Sequence, residues 1–254
     1  MNEPLRVLLV SDSIPYHGPD SRLSLDDPRM FQNVMAQQVE AEIEREVEIS
    51  YVARAGMTTR DAFQHITKDP ALQEKVLPGT DVVIYAAGGS DGLPVGIPTL
   101  VKDMIPNIPN DRIRKIARES YFKYHRHFVR LTGARFQMIP RHASLDYWSR
   151  AIDLLRFHSG GAPVVALTIQ PSNGPHFGFC DPHSKSLNED IVALAVEKDV
   201  PHVNLWPICE PNMDSFNPDG MHWDFETHAR VGTELAVLVS KASQQEKHSP
   251  WLAD

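Results

Sequence analysis

Apolar residues in this chain come in short unbroken runs, separated by stretches that repeat with a helical period. Leu5–Val10, Val47–Val52, Asp81–Ala87, Pro163–Ile169 and the weaker Pro201–Leu205 read as strands. Between them, Pro28–Ile43 carries Met30, Val34, Met35, Val39 and Ile43 on one helical face. Thr58–Ile66 reads as a short helix capped by Thr58 or Thr59, with Asp61 in its first turn. His142–His158, Leu187–Lys198 and Asp224–Lys241 complete the helices. Strands without polar alternation are buried on both faces, so the pattern predicts an α/β fold. The expected form is a three-layer α/β/α sandwich around a central, mainly parallel five-stranded sheet of the flavodoxin-like kind.

One stretch breaks the alternation. Residues 93–142 are rich in Pro, basic and aromatic residues and too long for a plain connection, which marks an inserted lid or substrate-binding segment. We expect one domain over 1–246, with this insertion inside it, and a frayed tail over 247–254.

Charge sharpens that reading. Residues 102–142 hold ten Lys/Arg against three acids, +7, which leaves −15 for the rest of a chain whose net charge is −8. An acidic chain argues against nucleic acid as a partner, whereas its basic segment suits a small anionic ligand or a solvated helix face. No apolar run reaches the ~18 residues of a membrane span, and no signal stretch opens the chain, so a cytoplasmic protein is expected. Cys180 and Cys209 form no metal spacing. His125, His127, His142, His176 and His183 lack a zinc motif, and no metal is expected.

Candidate chemistry sits at the strand ends, where an open parallel sheet binds its ligands. The first strand stops at Asp12-Ser13, and Asp219-Gly220-Met221-His222 precedes the last helix. A serine hydroxyl becomes a nucleophile only when a histidine takes its proton, and that imidazole needs a carboxylate to fix its tautomer. The loops after the second and third strands add Arg54-Ala55-Gly56-Met57-Thr58 and Gly88-Gly89-Ser90-Asp91-Gly92. The latter also matches Gly-x-Ser-x-Gly, the nucleophile elbow, which offers Ser90 as an alternative nucleophile. An elbow must turn straight into a helix, however, and Leu93-Pro94-Val95-Gly96 follows instead.

Taken in order, these four blocks resemble the SGNH, or GDSL, hydrolase superfamily, with Ser11 in place of the first glycine. The resemblance implies Ser13 as nucleophile, His222 as general base and Asp219 as its orienter. It implies the backbone amides of Ser13 and Gly56 as oxyanion donors, each such donor being worth ~10²–10³ in rate. The third block departs from Gly-x-Asn-Asp. We place Asp91 in the asparagine slot, with Ser90 as the alternative; an ionised Asp there would repel an oxyanion.

Longer stretches narrow the resemblance. Asp12-Ser13-Ile14-Pro15-Tyr16-His17-Gly18-Pro19, Asp26-Asp27-Pro28-Arg29, Thr59-Arg60-Asp61, Asp69-Pro70, Ser90-Asp91-Gly92-Leu93-Pro94 and Asn217–Trp223 are similar to the diglucosylglycerate octanoyltransferases. That family implies transfer of octanoate from octanoyl-coenzyme A to a glucosylglycerate-type sugar, on the way to methylglucose lipopolysaccharide. Acyl-CoA is then a co-substrate, no cofactor is needed, and the partners are small molecules. Asp12 and Trp223 flank the catalytic residues as candidate substrate contacts. Arg112, Arg114 and Arg118 are candidates for a glycerate carboxylate or coenzyme A phosphates, which guanidinium binds bidentately. A carboxylesterase, and a catalytically inactive carbohydrate- or lipid-binding relative, are the alternative readings.

Overall fold

The computed structural model describes residues 3–18 and 23–245, so the expected tail at 247–254 lies outside the described residues. Five strands, β1 (Leu5–Ser11), β2 (Val47–Ala53), β3 (Val82–Ala86), β4 (Val164–Leu167) and β5 (His202–Val203), form one parallel sheet in the order β2-β1-β3-β4-β5. The sequence reading of an α/β sandwich with a five-stranded sheet is borne out. In register, Ser11 stands opposite both Ala53 and Ala86, so three strands end level beneath the Asp12-Ser13 loop.

Side chains alternate across a strand, and β1 divides the core accordingly. Leu5, Val7 and Leu9 pack with α1 (Phe31–Ile43) and the last helix, Phe225–Ser243, on one face. Leu8 and Val10 pack on the other face with α2 (Thr59–Lys68), the Arg141–His158 helix and the Ser184–Glu197 helix. Burying such unbroken Val, Leu and Ile runs on both sides is what requires two helical layers.

Element ends follow local chemistry. Thr58 caps α2 through a reciprocal box with Asp61, as its Thr-x-x-Asp spacing predicts. The first helix begins at Phe31, not Pro28, because Asp27 turns back to accept the Arg29 amide at 3.0 Å. The insertion is itself helical. It holds α3 (Thr99–Met104) and the 21-residue α4 (Asp111–Leu131), followed by α5 (Arg141–His158), α6 (Ser184–Glu197), a short α7 (Leu205–Cys209) and α8 (Phe225–Ser243). The apolar pattern predicted none of α3, α4 or α7. Among the described residues no helix is long and apolar enough to cross a membrane.

Candidate active site

Strand order reverses direction at β1, and the crevice there is where an open parallel sheet takes its ligand. Loops after β1, β3 and β4 meet the turn before α8 around a cavity of about 20 Å³, room for about one water. Asp12, Ser13, Ile14, Gly89, Ser90 and Leu93 line it from one side, and Gln170, Ser172, Met221, His222 and Trp223 from the other.

The base is built by a turn. Asp219 Oδ1 accepts the amides of Met221 and His222 at 3.0 and 3.1 Å, and its Oδ2 meets His222 Nδ1 at 2.5 Å. Burial raises the Asp219 pKa, but the His222 ring and the His222 and Met221 amides outweigh it and hold the carboxyl below its ordinary value. An ionised Asp219 fixes Nδ1 as the protonated nitrogen and leaves Nε2 to accept a proton. Gly220 makes the turn possible: its φ is +69°, and a Cβ there would run into the Asn173 carbonyl. Asn217 Nδ2 donates to the His17 carbonyl at 2.7 Å and the Trp223 carbonyl at 2.9 Å, tying the base loop to the nucleophile loop.

Ser13 is half-buried on its loop, where its carbonyl accepts the Tyr16 amide at 2.9 Å. Asp12 is buried beside it and accepts the Ile14 amide at 3.0 Å, which shapes the turn that presents Ser13. Burial pushes the Asp12 carboxyl up to about 7, against the pull of the Ile14 amide and His222. Trp223 is buried edge-on against Phe31, with ring centroids 5.7 Å apart.

Several expected residues stand elsewhere. Asp91 does not line the cavity: it is fully buried, accepting the Thr59 amide at 3.0 Å and the Thr59 and Ser144 hydroxyls at 2.5 Å each. Burial pushes its pKa up to about 6, although those donors pull it down. It braces the start of α2 against α5, and Gly89 and Ser90 are the residues of the third block that reach the cavity. Ser90 is not on an elbow either, since two successive turns follow β3 and the next helix starts at Thr99. Gly56 occupies an exposed turn after β2, with φ +68°, outside the cavity wall.

Arg112 and Arg118 are exposed on α4, and Arg114 is engaged by Asp111 and the Ile108 carbonyl. None of the three lines the cavity. They lie on a helix that packs against the 175–177 turn, so the expected anion contacts are not made at Ser13.

Gln170 and Ser172 were missed in the sequence. Gln170 Nε2 donates to the Met221 carbonyl at 2.6 Å, while its Oε1 and the Ser172 hydroxyl are buried without a partner among the described residues. Their position just past β4 was the available signal, since the other strand ends carry the remaining site loops. Among the described residues no three His, Cys, Asp or Glu side chains are grouped to hold a metal ion.

No family model matches the chain. Over 238 residues it is 28% identical to a diglucosylglycerate octanoyltransferase of Mycobacterium tuberculosis, covering 93% of this chain and 92% of the relative. The protein of that name from Mycolicibacterium hassiacum is 29% identical, with 93% and 95% covered. Among solved structures, the lipase Lip_vut3 from a goat rumen metagenome superposes with a TM-score of 0.62 at 12% identity, covering 95% of this chain and all of that one. A lipolytic G-D-S-L family protein of Veillonella parvula does so at 0.53 and 13%, covering 92% and 97%. The fold is that of the SGNH hydrolases. The resemblance read from the four blocks is thereby borne out, and the protein is an enzyme of the acyltransferase or esterase type.

Proposed function

We propose that the enzyme transfers an octanoyl group from octanoyl-coenzyme A to a hydroxyl of a glucosylglycerate-type sugar through an acyl-serine. The carrying observation is similarity to two named diglucosylglycerate octanoyltransferases along 93% of the chain. The cavity supplies the chemistry. Ser13 Oγ attacks the thioester carbonyl while His222 takes its proton, and the coenzyme A thiolate leaves with that proton. The sugar hydroxyl then attacks acyl-Ser13 and gives its proton to His222, which passes it to Ser13 Oγ as that oxygen leaves, releasing the ester and restoring Ser13. The Ser13 amide, with the Ser90 hydroxyl, supplies the proposed donors to the oxyanion of each step. Gln170 and Ser172 give the cavity a polar side suited to holding a sugar hydroxyl in place of water. With acyl-CoA as donor, the reaction belongs in the cytoplasm.

Ester hydrolysis shares the first half-reaction, and the lipase and lipolytic neighbours make it the second reading. Incubation with octanoyl-CoA, with and without diglucosylglycerate, separates the two. Transfer predicts an octanoylated sugar and little free octanoate, and Ser13→Ala abolishes both products. Free octanoate at the same rate with or without the sugar supports the esterase. Activity that survives Ser13→Ala overturns the nucleophile.

A further inference from the structure

The positive charge of the insertion is gathered on α4, away from the catalytic cavity. Three faces of this helix differ. Tyr121, His125, Phe128 and Val129 turn inward, with His125 and Val129 buried. At 100° per residue, Ile113, Ile116, Tyr124 and Leu131 share a second face, with Ser120 and His127 among them, covering roughly a quarter of the circumference. They are 56%, 62%, 45% and 83% exposed. Arg112, Lys123, Arg126 and Arg130 follow alongside as a third, cationic strip, all exposed. Its one acid, Glu119, pairs with Lys115 at 3.8 Å.

We propose that this outer surface of α4 seats the enzyme on an anionic lipid bilayer. An apolar stripe flanked by Lys and Arg is the pattern of a helix lying in a membrane interface. The apolar side chains enter the acyl boundary while the long cationic stems reach the headgroups. A second copy of the chain fits less well. An antiparallel two-fold pairing through α4 would set each cationic strip beside its own copy, within a Debye length. Pairing α4 with an acidic face elsewhere would be heterologous, leaving a ring or an open filament. One hydrogen bond brings the helix near the cavity: Tyr121 Oη donates to the Val95 carbonyl at 2.7 Å, two residues from the cavity-lining Leu93.

The test is co-sedimentation of the full chain with sucrose-loaded vesicles at low salt. Binding to equimolar phosphatidylcholine–phosphatidylglycerol vesicles is expected, with little to phosphatidylcholine alone and release as salt rises. Combining Arg112→Glu, Lys123→Glu and Arg126→Glu should weaken partitioning on the order of 100-fold. Ile116→Glu with Leu131→Glu should abolish insertion; if that pair misfolds by circular dichroism, Ile116→Ser with Leu131→Ser replaces it. Equal binding to both vesicle types, or binding indifferent to the charge reversals, overturns the proposal. So does sedimentation equilibrium showing a dimer that the Ile116 and Leu131 changes dissociate, since the occupant is then another copy.

Discussion

Asp12 stands beside the proposed nucleophile with its carboxyl buried, and its pKa is pushed from 3.8 up to about 7. An acid whose folded value lies above its unfolded value costs stability wherever the unfolded chain is ionised and the folded one resists it. The cost is absent below the unfolded value, grows as pH rises through the interval, and levels off above the folded value. Asp12→Asn removes the charge and keeps Oδ1 as acceptor for Ile14. The variant should therefore match the parent in urea unfolding near pH 4 and exceed it by up to about 4 kcal/mol at pH 8. A difference that does not change with pH would mean that Asp12 ionises normally. The Asp-Ser dipeptide was visible in the sequence, but its electrostatics were not, because desolvation depends on what the fold stacks above it. Asp91 makes the same point. Its motif position suggested a catalytic slot, and only the Thr59 and Ser144 donors reveal a brace.

Elements with a local signal were legible. The α2 helix announces itself in four residues, Thr58 to Asp61. By contrast, α4 carries apolar residues on its inner and outer sides with cations between, so no single stripe marks it as helix. What docks it is an aromatic contact distant in sequence. His125 stacks on His176 with centroids 4.3 Å apart and planes 4° apart, and its Nδ1 lies 3.0 Å from the His176 carbonyl. Burial lowers both pKa values; Lys102 adds to this at His125 against the His176 and Pro94 carbonyls, and the His125 charge adds to it at His176. Folded histidines held below their ordinary value stabilise docking above that value and lose it as pH falls. Hydrogen exchange in α4, corrected for intrinsic chemistry, should therefore speed up several-fold between pH 7 and pH 5 relative to α6, which carries no histidine. His125→Phe keeps the stack and should weaken that response, leaving the part due to His176; an unchanged response would place the proton-sensitive group elsewhere.

At the scale of the molecule, Ser13 and His222 are brought together from opposite ends of the chain by one helix pair. Ser13 precedes α1, His222 precedes α8, and the two helices pack on the same face of the sheet. Alternation of strands and helices foretold the layers, but strand order and the α1–α8 contact arise from pairings with no local signature. The contact is close because residue 232 is glycine. A Cβ there would lie 2.7 Å from both the Phe31 carbonyl oxygen and the Val34 Cβ. Phe31 in turn packs against Trp223, the neighbour of the base, and donates its amide to His228 Nδ1 at 3.3 Å. Gly232→Val must force the helices apart, at about 1–3 kcal/mol, which lowers Tm by several degrees in a protein of this size. Val237→Ala, on an exposed position of α8, should stay within ~0.5 kcal/mol of the parent. Because Phe31 moves with α1, fluorophosphonate labelling of Ser13 should also slow in Gly232→Val at temperatures where the protein is still folded. A lower Tm with undiminished labelling would show that the helix pair supports the sheet without setting the distance between nucleophile and base.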